Sequence, residues 1–427
     1  MGFLGSEKLI VGYDLGNEYC QISYAASETG EVETLSQVAG AQIYNIPTVL
    51  CKRSGVNQWF YGKEALRYEQ DGQGILIRDL LALALDGEPV LIEGESFDPV
   101  ALLTLFVKRS LGLLSQVGTA DRMSALLITC EVLDRRILEV LGNVVSGLRL
   151  KAVRISFQSY TESFYSYMIH QPESLWIHES VLFFYRSSCV RVFRMECNRK
   201  TVPVVAFIEE QEFPFPEWRG LPEEEGAREE KGAELDGAFL KIAGEVCGDR
   251  RIDSVFLIGD GFEEEWMKNS LRLLCRGRRV FQGNNLFSKG ACYGMQERLG
   301  VSEVGKRHVF LGNEKLKANI GMEVLRQGEK SYYALLDAGV NWYEASNTVE
   351  FYLQDGQELE LIITPLIGAE SRREKLVLSD FPGSVARLQL KLHLESERLL
   401  VAEVADLGFG EFRRPSGRSW REDITLY

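Results

Sequence analysis

The chain has 427 residues, 48 of them Lys or Arg and 62 Asp or Glu, for a formal net charge of −14; apolar residues make up 45%. This length predicts two or three domains with well-buried cores. The acid excess repels phosphate backbones and anionic headgroups, which excludes binding to nucleic acid or membrane by charge alone.

The eight cysteines include no C-x-x-C pair, and the four histidines have no metal-ligand spacing. Free thiols in a reducing compartment are therefore expected, with neither a disulfide nor a metal framework. No apolar run approaches the ~20 residues of a membrane span, and the first residues lack the apolar core of a signal peptide. The Met1–Ser6 segment fits the loose myristoylation pattern, a match common by chance. A cytoplasmic protein is expected.

In chain order, Lys8–Tyr13 reads as a strand, Asp14-Leu15-Gly16-Asn17 as a tight turn and Tyr19–Ala25 as the returning strand, with Glu31–Ser36 as a candidate third. Asp98-Pro99 opens a helix, Asp as N-cap and Pro at the first helical position. Leu102, Leu103, Phe106, Val107 and Leu114 follow at helical spacing. Ser124–Cys130 is a continuous apolar run, as expected of a strand buried on both faces. Asp134 caps a further helix with Ile137, Leu141, Val144 and Val145 on one face, and Gly147 is placed to end it. Val153–Phe157 is the next strand, which completes an α/β unit with a parallel crossover.

Ser180–Arg194 contains two strand-like runs. Residues 209–236 then carry eleven acidic and three basic residues. That stretch reads as a solvated acidic loop, with an acidic docking surface for a basic partner as the alternative. Leu235–Val246 reads as helix, Ser254–Ile258 as a buried strand and Gly259-Asp260-Gly261 as a turn. A helix is predicted from Glu263, with Trp266, Met267, Leu271 and Leu274 on one face. From about Lys306 the apolar period becomes two, in Val349–Leu353, Leu359–Ile363, Leu388–Leu394 and Leu399–Val404. Asp355-Gly356 is a hairpin-turn signal. A domain boundary is expected near 303–315, with an all-β domain after it.

The Asp14–Asn17 turn is similar to the first phosphate loop of the actin-like ATPases. Ile46–Val49 with Tyr61–Ala65, Ala125–Cys130 with Gly147-Leu148 and Val153–Ile155, Gln158–Thr161, Arg251–Gly261 and Asn284–Met295 follow it. In that order they resemble the segments of the DnaK-type (heat-shock 70 kDa) chaperone family. Leu378–Pro382 and Leu388–Val404 resemble parts of that family's peptide-binding sandwich. Each motif is loose, and their collinearity over nearly the whole chain carries the resemblance.

The resemblance implies an α/β, two-lobed actin-like ATPase domain over 1–305, with a small insertion at about 40–97, a reduced second lobe and the acidic loop at about 209–236. An all-β, peptide-binding-like sandwich over 306–427 would follow, without a helical lid. The implied cofactor is ATP or ADP with Mg. Asp14, Gly16 and Asn17 would meet the phosphates, Asp14 would hold the metal through water, and Gly259, Asp260 and Gly261 would meet the adenosine. Arg78 would stand in the place of a catalytic lysine. The implied partner is an unfolded peptide or a protein held by the β domain.

Phosphoryl transfer is mostly positioning and charge neutralisation, and backbone cradles for phosphate need glycines. Here the second phosphate loop reads Phe183–Val190, with neither glycine nor aspartate. Ser159 stands where that family has a catalytic glutamate. Glu18 sets a carboxylate near a polyphosphate, and like charges ~4 Å apart repel by about 4 kcal/mol at an effective dielectric constant of ~20. The expected function is a degenerate or pseudo-ATPase serving as a peptide- or partner-binding module. An active chaperone ATPase with substituted groups and an actin-superfamily assembly scaffold are the alternatives. Plain structural roles compete at each position: a hairpin turn at Gly16, a helix start at Asp260, a surface place for Arg78.

Overall fold

The computed structural model describes residues 8–38, 40–118, 122–218, 220–283, 285–353, 357–366, 370–381 and 385–426. The Asp355-Gly356 turn, Asn284, Pro382 and the Met1–Ser6 segment lie outside the described residues. The chain divides into two compact units, Met1–Phe310 and Leu311–Tyr427, against an expected boundary at 305/306.

The first unit is mixed α/β and holds two large sheets. The first has β1 (Leu9–Leu15), β2 (Tyr19–Ala25), β3 (Glu33–Thr34), β4 (Met123–Cys130) and β5 (Arg154–Ser159). Its order is β5-β4-β1-β2-β3, with Ile46–Pro47 also pairing to β2. β1 runs antiparallel to β2 and parallel to β4, setting Asp14 beside Gln21 and Thr129. Every residue of β1 is buried, which explains its nearly unbroken apolar sequence.

The second sheet has β6 (Glu179–Arg186), β7 (Cys189–Asn198), β8 (Val204–Pro214), β9 (Ile252–Ile258) and β10 (Arg279–Gln282). Its order is β10-β9-β6-β7-β8, extended by β11 (His308–Phe310). β6 is antiparallel to β7 and parallel to β9. The two sheets therefore share one strand order and one pattern of directions, a structural repeat.

Helices tied to these sheets include α1 (Pro99–Leu111), α2 (Arg135–Leu148), α3 (Tyr160–Ile169), α4 (Glu225–Cys247), α5 (Asn269–Leu274) and α6 (Leu286–Leu299). The last helix of each repeat lies on the sheet of the other. α3 follows β5, yet its Phe164 and Met168 share a core with Leu182, Phe193 and Phe256 of the second sheet. α6 follows β10, and its Ala291, Cys292 and Met295 share a core with Ile10, Ala125 and Leu127 of the first. Two glycines make this exchange close. A side chain at Gly12 would overlap the α6 backbone at Ser288 and Cys292, and one at Gly290 would overlap the Ser163 carbonyl of α3.

Three sequence expectations need correction. Residues 209–236 are not a loop: Glu209–Pro214 belongs to β8, and Glu225–Asp236 forms the first half of the 23-residue α4. The strand is held by pairing along all of β7, and the helix by Leu235, Phe239, Ile242 and Val246 packing into the core. The helix predicted from Glu263 starts only at Asn269, because the Trp266 indole turns back to donate to the Gly261 carbonyl. Gly147 does not end α2; the helix runs to Leu148, and Arg149 takes the left-handed cap with φ 53°.

The second unit is all-β in its described strands. β12 (Ala318–Arg326), β13 (Glu329–Leu336), β15 (Glu358–Pro365) and β16 (Arg372–Val377) form one four-stranded sheet, in the order β13-β12-β15-β16. The second sheet has β14 (Ser346–Leu353), β17 (Ala386–Leu394), β18 (Leu399–Asp406) and β19 (Ser419–Thr425), in that order. Leu388, Leu390, Leu392 and Leu394 are buried. Ion pairs such as Arg387–Glu350 and Lys391–Glu403 bridge neighbouring strands. Exposed pairs of this kind add little stability, but they keep like charges from facing each other across strands.

Among the described residues, no helix is long and apolar enough to cross a membrane.

Candidate functional site: a cleft between two hairpin tips

A cavity of about 400 Å³ opens in the first unit between the tip of the β1–β2 hairpin, the tip of the β6–β7 hairpin and the carboxyl ends of β4 and β9. This is where open α/β sheets place ligands, because strand order reverses at that edge.

Asp14, the penultimate residue of β1, is 7% exposed. The Tyr160 hydroxyl, at the start of α3, donates to its Oδ1 at 2.7 Å. Tyr160 is fixed by stacking on Phe287 of α6, with ring centroids 3.8 Å apart. Burial pushes the Asp14 carboxyl up to about 7; the Tyr160 bond and the charge of Arg186 only partly offset this.

Across the cleft, the β6–β7 hairpin turns through Ser187-Ser188, with Arg186 paired to Cys189. Ser187 adopts a left-handed φ of 49°, where a glycine would cost less. The Arg186 guanidinium is bound to Glu131, the residue just past β4. Glu131 also holds Arg191 at 2.5 Å, and Arg191 reaches Glu210 at 2.6 Å. A chain of alternating charges thus joins the first sheet to the second at the cleft.

Two further ties cross it. Asn45 donates to Asp260 at 3.1 Å while its own carbonyl accepts from Gln21 at 2.5 Å. Ser187 donates to Glu18 at 3.4 Å. Burial raises the Asp260 carboxyl, with Glu18 adding to it and the bonds from Tyr19 and Asn45 opposing. Burial likewise moves the Tyr19 phenol up to about 12, helped by Asp260.

The segment after β8 closes the cavity. Phe215 and Trp218 donate backbone N–H groups to Ser188 and Ser187, both at 2.9 Å. The acidic stretch therefore brings Glu217 and Trp218 to the cleft.

The expected residues divide clearly. Asp14, Gly16, Asn17, Gly259, Asp260 and Gly261 all line the cavity. Arg78 is exposed and is not among the lining residues, so the structure does not bring it to the others. Asn17 has a scaffold task, since its Oδ1 accepts from the Ala82 N–H at 3.0 Å, at the start of the helix Leu80–Asp86. Gly259 and Gly261 make room for Tyr185: a side chain at the first would overlap the Tyr185 backbone, and one at the second its ring. Ser159 is the N-cap of α3.

Tyr19, Glu131, Tyr160, Tyr185, Glu217 and Trp218 were not singled out from sequence. Glu131 had a readable signal, as the first polar residue after a buried parallel strand.

The residues present do not fit a magnesium triphosphate. Among the described residues, five carboxylates line the cavity (Asp14, Glu18, Glu131, Glu217, Asp260) with one guanidinium, Arg186, which is bound to Glu131. The second hairpin offers side chains where a phosphate cradle needs bare backbone. Among the described residues, no group of three or more His, Cys, Asp or Glu is arranged to hold a metal ion.

Comparison with known families adds a frame. A family model described as "Family of unknown function (DUF5716) C-terminal" matches residues 31–313. The chain belongs to this family. A second model, "Domain of unknown function (DUF8552)", matches residues 315–426. No curated protein matches the chain. The DUF5716 match begins after the first hairpin, so Asp14, Gly16 and Asn17 lie outside it, while Gly259–Gly261 lie inside.

Proposed function

We propose that the first unit of this DUF5716 family member is an actin-like ATPase fold that no longer hydrolyses nucleotide. The second unit would then be a sandwich that engages a peptide or a protein partner. The repeated strand order and the reciprocal placement of α3 and α6 support the fold reading. The observation that carries the loss of activity is the Arg186–Glu131 pair at the second hairpin tip. It places a satisfied ion pair and non-glycine backbone where a triphosphate would need free N–H groups. For the second unit, the reading rests on edge strands. β13 is an edge strand with Tyr332 and Tyr333 about half exposed, and an extended chain can add to such an edge through backbone hydrogen bonds.

Calorimetry with ATP and ADP in the presence of Mg, together with a phosphate-release assay, tests the first part. No binding and no turnover above the buffer rate are expected. Micromolar binding would count against loss of the nucleotide site, and turnover that Asp14→Ala removes while the fold persists would establish an active ATPase instead.

A further inference from the structure

The charges and walls of the cleft describe a ligand opposite in sign to a nucleotide. Among the described residues, five carboxylates and one guanidinium line a cavity of about 400 Å³, a volume within the range of small-molecule sites. The excess of negative charge repels a polyanion and attracts a cation.

Asp14 makes the case specific. It is 7% exposed and lines the cavity. Its Oδ1 accepts from Tyr160, and among the described residues the opposite charge that acts on the carboxylate is that of Arg186. A buried carboxylate is costly to ionise unless it is paired. Arg186, the nearest cation acting on it, is already bound to Glu131.

Aromatic side chains, Tyr19, Tyr160, Phe184 and Trp218 among them, line the cavity together with aliphatic ones such as Leu81 and Ile137. Ring faces attract ammonium and guanidinium groups. Such groups, unlike a hard metal ion, need no cage of three or more carboxylates, and no such cage occurs among the described residues.

We propose that the cleft binds an organic cation, an ammonium or guanidinium group seated on the Asp14 carboxylate beside aromatic side chains. The source is either a free amine or a basic side chain of a peptide. This rests on the reading that the cleft is not a triphosphate site.

A proton competes with the cation for Asp14. Tyr13, Tyr160, Cys20 and Cys130 also surround that carboxylate, and burial raises all four, so they stay neutral. Arg186 is the charged group facing it. The carboxyl of Asp14 therefore changes charge between pH 6 and 8. Asp260 on the other wall, also raised by burial, acts in the same direction as it loses its proton, and cation binding should tighten with rising pH.

The test is calorimetry on the full chain with agmatine, spermidine and a blocked Gly-Arg-Gly peptide, each at pH 6 and pH 8, with Mg–ATP in parallel. One-to-one binding by at least one cation is expected, up to about tenfold tighter at pH 8. Asp14→Asn should weaken it by about tenfold or more. Trp218→Leu, at the half-buried rim, should weaken it as well, and circular dichroism checks that both variants fold. Peptide binding tighter than agmatine assigns the site to a partner's side chain, and the reverse order assigns it to a free amine. No binding of any cation at about 10 mM, or binding that both variants leave intact, overturns the proposal. If Mg–ATP also fails to bind, the parent reading stands alone; if Mg–ATP binds and no cation does, both fall.

Discussion

Asp14 lies at the end of a strand with no exposed face, and burial there lifts its carboxyl to about 7 from the ordinary aspartate range. The folded protein thus keeps a proton that the unfolded chain releases between about pH 4 and pH 7. Stability from this group is fully present below the unfolded value and is lost as pH rises through the folded one. Asp14→Asn keeps an oxygen for Tyr160 and removes the charge. It should raise stability at pH 8 by roughly 1–4 kcal/mol, since each tenfold change in an acid constant is about 1.4 kcal/mol. At pH 3.5 it should change little. Urea unfolding at the two pH values reads the difference, and a destabilised variant at pH 8 would contradict the assignment.

The sequence pointed to Asp14 through its place before a turn glycine, but neither its burial nor Tyr160 was readable, because the bond joins residues 146 positions apart. Gly147 misled for a related reason. It reads as a helix stop, yet a side chain there would overlap Thr104 of α1, so it serves helix packing, and Arg149 accepts the left-handed cap instead.

Elements show the same division between local and distant causes. Strands β1, β2, β4 and β9 and helices α1 and α2 were legible, because their caps and apolar periods are local. Asp98 and Asp134 do cap α1 and α2 through their side chains. The acidic stretch was not legible. Charge density suggested a solvated loop, whereas pairing with β7 and packing of the apolar face of α4 decide its structure.

Within that stretch, Asp236 of α4 caps the distant helix α5. Its carboxylate accepts from the backbone N–H groups of Lys268, Asn269 and Ser270 at 2.8–3.1 Å, and from the Ser270 hydroxyl at 2.6 Å. Burial alone would raise its pKa, but these donors together hold it below the usual aspartate range. Asp236→Ala leaves several donors without a partner at a site 4% exposed. It should cost about 2–4 kcal/mol, measured by denaturant unfolding. A loss under about 0.5 kcal/mol would mean that water replaces the carboxylate.

At the scale of the whole molecule, each unit has its own sheets. The first unit's design is a repeat with exchanged helices, and its two halves meet at a cleft. The repeat is hidden in the residues: its two hairpin tips read Gly16-Asn17-Glu18 and Ser187-Ser188, with no shared motif. What the halves share is strand order and direction, properties of pairing that many sequences satisfy. The cleft chemistry was half legible. The missing glycines of the second hairpin could be read directly, while the bonds that fill the space, Arg186 to Glu131 and Asn45 to Asp260, depend on that pairing.

On the proposed reading, these bonds stand where an actin-like ATPase would hold a triphosphate. Crystals of the full chain soaked with a non-hydrolysable ATP analogue and Mg test it most directly. No nucleotide is expected between residues 12–18 and 259–262, with Arg186 still on Glu131 and Tyr160 still on Asp14. A triphosphate and metal seated across both hairpin tips, with those two contacts broken, would contradict it.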